Sequence, residues 1–224
     1  MIYLFVVEAS LEIVPKQVRG ERCIIGDAKR RGRKPRDILL NLSKHHAAVK
    51  KLGDLDRRGR PDITHLALLT ALDSPLNQMG RLQIYVHTLN GEIFRLSGEV
   101  RLPRSYERFE GLTVALLRDG HVPKDPPYLL EMVDEDLPTL LKTLKLDRLI
   151  ALSRVGSEVD LPRFLRSALG GRRVGFMVGG FQRGHFSPEV ASLADEIIRV
   201  SPYPLSTHLA ICKIFHEVER ILGE

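Results

Sequence analysis

Two loops and a third strand end carry residues suited to holding a small ligand. The first loop is GGFQRG at Gly179–Gly184, directly after the apolar stretch Arg173–Val178. Glycines at a strand end let a ligand approach the backbone, and open sheets bind ligands at the carboxyl ends of their strands. The loop lacks the dinucleotide-binding pattern, since Gly180 is adjacent to Gly179 rather than two residues away, and an ordinary turn would use the same glycines. The second loop is SPYPLS at Ser201–Ser206, where Pro202 and Pro204 flank Tyr203. Such a stiff segment can offer its backbone groups to an adenine edge, or it is a proline break between a strand and a helix. Leu152–Ser153 ends another apolar stretch. If the three stretches are neighbouring strands, their ends converge on one edge of a sheet, and only together do they argue for a ligand site.

A second constellation is basic. Arg101, Arg104 and Arg108 are spaced three and four apart, so the helical part of that segment places them on one face. The planar guanidinium suits phosphate oxygens, while a solvated face pairing with Glu107 and Glu110 accounts equally for the spacing. Arg60-Pro61-Asp62 sets a carboxylate two residues from an arginine at a helix start. Asp62 can cap that helix, orient Arg60, or accept a proton from a substrate base. The histidines match no HExxH or similar metal spacing, so no metal site is expected, and no GxSxG elbow or Walker loop suggests another mechanism.

The totals frame these groups. The chain has 224 residues with 43% hydrophobic content, enough for one large domain. A net charge of +6 and a pI near 9.5 point to a polyanionic partner. The charge is concentrated in KRRGRKPR at Lys29–Arg36 and in Arg57, Arg58 and Arg60. With no tryptophan and 6% aromatic residues, stacking platforms for single-stranded RNA are few. Cys23 and Cys212 cannot form a disulfide framework or a four-ligand zinc site, and Cys212 reads as a small core residue. No apolar run approaches the ~18 residues of a membrane span, and nothing resembles a signal peptide, so an intracellular chain is expected.

The elements that must position these groups follow from periodicity. Ile2–Ala9 reads as a buried strand, Pro15–Arg36 as a loop, and Pro35 as the first turn of a helix through Val49. Pro61–Leu76 reads as a helix. Arg81–Thr88 and Glu92–Val100 read as a hairpin about a two-residue Asn90–Gly91 turn, followed by a helix over Ser105–Arg118. Short strands at Leu129–Val133, Arg148–Ser153, Arg173–Val178 and Glu196–Val200 then alternate with helices at Leu137–Leu144, Leu161–Leu169, Pro188–Leu193 and Leu205–Leu222. That alternation predicts an α/β fold, a parallel sheet flanked by helices, with the hairpin of about residues 81–100 as an insertion in a single domain. On the last helix Leu205, Leu209, Cys212, Phe215 and Leu222 form a stripe that is core, a dimer seam, or both.

With these residues in hand, the chain resembles the Nep/Emg family of ribosome-biogenesis pseudouridine methyltransferases, of the SPOUT class. The resemblance spans nearly the whole chain through RPDI (Arg60–Ile63), LDSPLN (Leu72–Asn77), RLQIYVHT (Arg81–Thr88), RLPRSYERFEGL (Arg101–Leu112), VGGFQRGHFS (Val178–Ser187) and SPYPLSTHLAICKI (Ser201–Ile214). The lack of a long N-terminal extension is similar to archaeal members. The resemblance implies a SPOUT-type sheet with a C-terminal trefoil knot, one of the few exceptions to the rule against threaded chains, and a homodimer. It implies S-adenosylmethionine held by Leu152, Gly179, Gly184 and the backbone of Val200, Ser201, Pro202, Tyr203, Pro204 and Leu205. RNA would meet Arg60, Arg101, Arg104 and Arg108, with Asp62 fixing Arg60. The implied reaction is methylation of N1 of a pseudouridine in small-subunit ribosomal RNA, on a base presented unstacked. N1 must lose its proton, so Asp62 is also the candidate base. A ribosomal-protein partner, a cytoplasmic location and no membrane contact complete the expectation. The alternatives are an RNA-binding assembly factor that holds pre-ribosomal RNA without relying on catalysis, and a SPOUT enzyme acting on transfer RNA.

Overall fold

The computed structural model describes residues 1–223. Strand β1 (Ile2–Ala9) is buried at all eight positions because its two faces feed different cores. Ile2, Leu4 and Val6 join one cluster, and Tyr3, Phe5 and Val7 join another on the opposite face. A strand covered on both sides has no reason to alternate polar and apolar residues, hence its continuous apolar run.

The segment expected to be a loop instead holds helix α1 (Arg22–Arg30), which packs with α2 (Leu42–Leu52) in a satellite core of Val14, Ile24, Ala28, Ile38, Ala48 and Val49. The expected helix start at Pro35 is a single 3-10 turn, and α2 begins later, capped by the Asn41 side chain. Helix α3 (Pro61–Leu72) stops before Asp73, and the one-turn α4 (Pro75–Gln78) follows, capped by Ser74.

Strands β2 (Leu82–Thr88) and β3 (Ile93–Leu96) form the expected hairpin, but it is built into the sheet, since β2 runs parallel to β1. The turn differs too. Only Gly91 has positive φ, at 90°, and the Thr88 N–H to Glu92 carbonyl bond encloses three residues, as in a type I turn closed by a left-handed glycine.

Helix α5 (Tyr106–Asp119) leads to β4 (His121–Val122), β5 (Leu130–Val133) and α6 (Leu137–Thr143). Then come β6 (Arg148–Glu158), α7 (Leu161–Leu169), β7 (Val174–Gly179), α8 (Pro188–Ala191), β8 (Glu196–Arg199) and α9 (Thr207–Leu222). The sheet order is β4-β5-β3-β2-β1-β7-β6-β8. Pairings from β2 to β8 are parallel and those from β2 to β4 antiparallel, so the sheet is mixed rather than wholly parallel. Helices α3, α5, α7 and α9 cover one face, and α6 and α8 the other. No helix among the described residues is long and apolar enough to cross a membrane.

Strand β6 outruns its expected end at Ser153. Both Leu152 and Ser157 pair with Ile198, so residues 153–156 make an excursion between two contacts with β8. Gly156 ends it so close to β8 that a Cβ would lie 2.6 Å from the Ile198 carbonyl carbon.

Candidate active site

Because β6 lies between β7 and β8, the three strand ends singled out from sequence are neighbours. β7 delivers Gly179 and Gly180 to the end of β1. There the Gly180 N–H donates to Val7 at 2.8 Å and its carbonyl accepts from Ser10 at 2.9 Å. A Cβ on Gly180 would sit 2.6 Å from the Ala9 Cα, so the close crossing requires glycine. The chain then turns through Gly184, whose φ of 102° favours glycine. From the other side, the Thr207 hydroxyl on the first turn of α9 donates to the Gly179 carbonyl at 2.7 Å.

Between these segments opens a cavity of about 630 Å³. All the positions carried over as cofactor contacts line it except Pro202, which is exposed outside its wall. Leu152, Val178, Leu205 and Ala210 give it apolar surface, while Arg154, Arg183 and Arg199 make it basic; among the described residues no carboxylate lines it. Sequence reasoning missed Phe181, Arg154 and Thr207. Phe181 sits inside the glycine motif and Thr207 opens the last helix, so both were within reach. Arg154 is there only because β6 makes its excursion, which no local pattern announces.

Asp62 does not cap α3. It is the second residue of the helix, and its two oxygens accept from Arg60 Nε at 2.9 Å and Nη2 at 2.7 Å. Those bonds raise the already high pKa of the Arg60 guanidinium, against partial burial that lowers it. The remaining nitrogen, Nη1, donates to Gln182 Oε1 at 2.9 Å, so Arg60 and Asp62 adjoin the cavity wall. Their neighbours in the second basic stretch face inward. Arg57 pairs with Glu8 at 2.7 Å and Arg58 with Glu12 at 3.5 Å, all four largely buried.

The three-arginine group lies elsewhere. Helix α5 starts only at Tyr106, so Arg101 and Arg104 stand in the extended approach to it and only Arg108 is helical. They therefore share no helical face. All three are exposed, and Arg104 alone among them is ion-paired within the described residues, to Asp73 at 3.0 Å. Their expected partners are engaged differently. Glu110 is fully buried and accepts from Arg31 at 2.5 Å and the Leu39 N–H at 3.1 Å, and Glu107 accepts from Ser105. Arg101 and Arg104 line a separate cleft of about 750 Å³ with Asn77 and Gln78, which shares no residue with the strand-end cavity. The basic run Lys29–Arg36 is also partly structural, since Arg30 and Arg31 both hold Asp27. Among the described residues no group of three or more His, Cys, Asp or Glu could hold a metal ion.

Strand ends that enclose a basic, half-apolar cavity beside a braced arginine define an α/β ligand-binding protein with its site at the carboxyl edge of the sheet. Residues 4–219 match the family described as EMG1/NEP1 methyltransferase, and the chain belongs to that family. Among similar proteins, the ribosomal RNA small subunit methyltransferase Nep1 of Staphylothermus marinus is 36% identical, covering 98% of this chain and 96% of that protein. The protein of the same name from Thermococcus kodakarensis is 37% identical with both chains fully covered. Archaeoglobus fulgidus Nep1, solved bound to S-adenosylhomocysteine, superposes with a TM-score of 0.88 at 33% identity over 99% of both chains.

Proposed function

We propose that this protein transfers a methyl group from S-adenosylmethionine to N1 of a pseudouridine in small-subunit ribosomal RNA. The observation that carries the proposal is the strand-end cavity joined through Gln182 to the Arg60–Asp62 pair. The names of the relatives and the S-adenosylhomocysteine bound to the Archaeoglobus fulgidus protein support the same reading.

The cavity suits the cofactor. Its volume lies within the ~300–1,000 Å³ of small-molecule pockets. Bare backbone at Gly179 and Gly184, apolar surface at Leu152 and Leu205, and arginines for a carboxylate match a nucleoside joined to an amino acid. Bound there, S-adenosylmethionine supplies an electrophilic methyl on a sulfonium. The chain's part is orientation and charge. Arg60, held by Asp62 and Gln182, is a fixed cation able to stabilise the charge left on the pyrimidine when N1 gives up its proton to water. In this reading Asp62 is a positioning residue, because Arg60 engages both of its oxygens. Arg101 and Arg104, from the second cleft, and Arg108, exposed on α5, hold RNA phosphates.

Three further features belong to the proposal. A trefoil knot in a single domain is supported by the family match and by the likeness to the Archaeoglobus fulgidus fold. A homodimer is supported by exposed Leu66 on α3 and Leu205, Leu209 and Cys212 at or on α9. The stripe expected on α9 is thus divided: Phe215 is core, whereas Cys212 faces outward rather than inward. A cytoplasmic location and a ribosomal-protein partner are part of the same proposal, supported by the relatives' names as ribosomal RNA methyltransferases.

The test pairs titration calorimetry with a methylation assay. S-adenosylmethionine should bind one site per chain, and mass spectrometry should show one methyl added to a ribosomal hairpin carrying pseudouridine and none to its uridine counterpart. RNA binding without cofactor binding would favour the assembly factor. Methylation of the uridine hairpin, or of transfer RNA instead, would refute the substrate.

A further inference from the structure

The segment between α2 and α3, residues 53–60, has no regular structure of its own, yet it carries Arg57 and ends in Arg60. Four contacts fasten it to the glycine loop. The Arg183 N–H donates to the Asp56 carbonyl at 3.1 Å, and Arg60 donates to Gln182. Arg57 makes the other two. Its Nη1 donates to the His185 carbonyl at 2.6 Å, and its guanidinium lies 4.1 Å from the centroid of the Phe181 ring. Phe181 lines the cofactor cavity and lies so near Gly179 that a Cβ there would be 2.7 Å from the ring.

Arg57 is itself anchored. Its Nη2 lies 2.7 Å from Glu8 Oε2, and both Glu8 oxygens accept from the Ser187 N–H at 3.2 Å. Glu8, the last residue but one of β1, has a φ of 50°, a left-handed conformation rare outside glycine, and its N–H donates to His87 at 3.3 Å. Strained backbone persists only where the surroundings fix it. Here the strain turns the Glu8 carboxylate toward Arg57 and the end of the glycine loop. The acid and the arginine are both largely buried, so the pair is a fixed support behind the loop rather than a surface contact.

We propose that Arg57 is a positioning residue that ties the cofactor-facing loop, residues 181–187, to the segment presenting Arg60, so that cofactor and RNA each raise the other's affinity. The inference rests on the function proposed above. A cofactor seated against Gly179 and Phe181 immobilises the ring on which Arg57 stacks. Through Arg57 and Gln182 it also fixes the direction of Arg60, and RNA then binds an arginine already in place. Linkage makes the effect reciprocal, and couplings of this kind are typically about 5–150-fold. Lysine cannot replace Arg57, because a point charge provides neither the planar stack nor two simultaneous bonds.

The experiment measures the Kd of a pseudouridine-containing ribosomal hairpin with and without saturating S-adenosylhomocysteine, and the Kd of that ligand with and without RNA. Wild-type protein should show the same ratio both ways, on the order of tenfold. In Arg57→Met and Arg57→Lys the ratio should fall to within about twofold of unity, well below the usual coupling range. Both ligands should still bind these variants singly, whereas a merely structural role would lower single-ligand affinity and melting temperature and leave the ratio intact. Glu8→Gln, which keeps shape and removes the ion pair, should lower the ratio less, and it carries the test should the Arg57 variants not fold. Equal affinities with and without the second ligand in wild type, or an unchanged ratio in all folded variants, overturns the inference while leaving the proposed function standing. Failure of wild type to bind either ligand alone overturns both.

Discussion

Arg60 gives two of its nitrogens to Asp62 and a third to Gln182. A guanidinium held from two sides keeps one orientation, which a side chain with several free rotors would otherwise lose. Asp62→Asn keeps one acceptor but removes the charge and one of the parallel bonds. We expect methyl transfer at saturating substrates to fall roughly tenfold to a hundredfold, in proportion to about 1.4–2.8 kcal/mol of lost transition-state stabilisation. S-adenosylhomocysteine affinity should stay unchanged. The pH profile separates the two roles. A positioning Asp62 leaves its shape intact in the variant, whereas a base at Asp62 would remove its acidic limb.

Arg101 and Arg104 line a cleft that shares no residue with the strand-end cavity. Arg101→Ala or Arg104→Ala should therefore weaken RNA binding without altering cofactor affinity. Removing one cation from an RNA phosphate reduces the slope of log K against log salt by about one. Fluorescence anisotropy over a salt series reads that slope. Arg104 is paired with Asp73 in the free protein and must give up that bond to reach RNA, so Arg101→Ala should cost more. A slope unchanged in both variants would remove the cleft from the RNA path.

His45, in the first turn of α2, is fully buried against α1, with Nδ1 accepting from the Asn41 N–H at 3.0 Å and Nε2 3.3 Å from Asp27 Oδ2. That arrangement fits one neutral tautomer. Burial holds its pKa below the ordinary 6.5, against the opposing pull of Asp27. The unfolded chain therefore takes up a proton at higher pH than the folded chain. The stability that depends on neutral His45 is complete above 6.5 and is lost as pH falls from there through the depressed folded value. His87 is shifted in the same direction by its burial. His45→Gln, which keeps a donor toward Asp27, should cost about 1–2 kcal/mol near neutrality and make the fall in melting temperature below about pH 6.5 shallower. A fall as steep as in wild type would place the titration elsewhere.

What the sequence revealed depended on whether a pattern was local. β1 was legible because its nearly unbroken apolar run leaves little else, and the ends of β7 and β8 because glycine and proline punctuate them, whereas Leu152–Ser153 has neither beside it and β6 runs on past it. α1 was not, since the basic run covering its end hides an inward face of Ile24, Asp27 and Ala28, one of whose members is a buried acid. Asp27 tolerates that burial only because Arg30, Arg31 and His45 surround it, and those partners cannot be assigned before the fold is known. The same limit explains the arginines. Spacing placed Arg101, Arg104 and Arg108 on one helix face, while Pro103 and the Ser105 cap delay the helix. Arg57 and Arg58 read as a basic patch, yet their partners Glu8 and Glu12 come from a distant part of the chain.

The crossing of Gly180 over the end of β1 gives a prediction whose sign depends on geometry alone. An alanine there places its Cβ 2.6 Å from the Ala9 Cα and 2.8 Å from the Ala9 Cβ, both parts of a central strand that cannot swing aside. The Gly180 bonds to Val7 and Ser10 must then lengthen or the glycine loop must lift, and overpacking of this kind costs about 1–3 kcal/mol. Because Gly179 and Phe181 line the cavity and flank the crossing, S-adenosylhomocysteine affinity should fall together with the melting temperature. Gly26→Ala is the matched control. Gly26 is exposed within α1, and a methyl group added there would meet nothing within 4 Å. Alanine at that position should stabilise by about 0.5–1 kcal/mol with cofactor affinity unchanged. Melting curves and calorimetric titration of the two variants decide the matter. Equal tolerance at both positions would mean that the loop floats free of β1, and the cavity wall would then lose the support that fixes its shape.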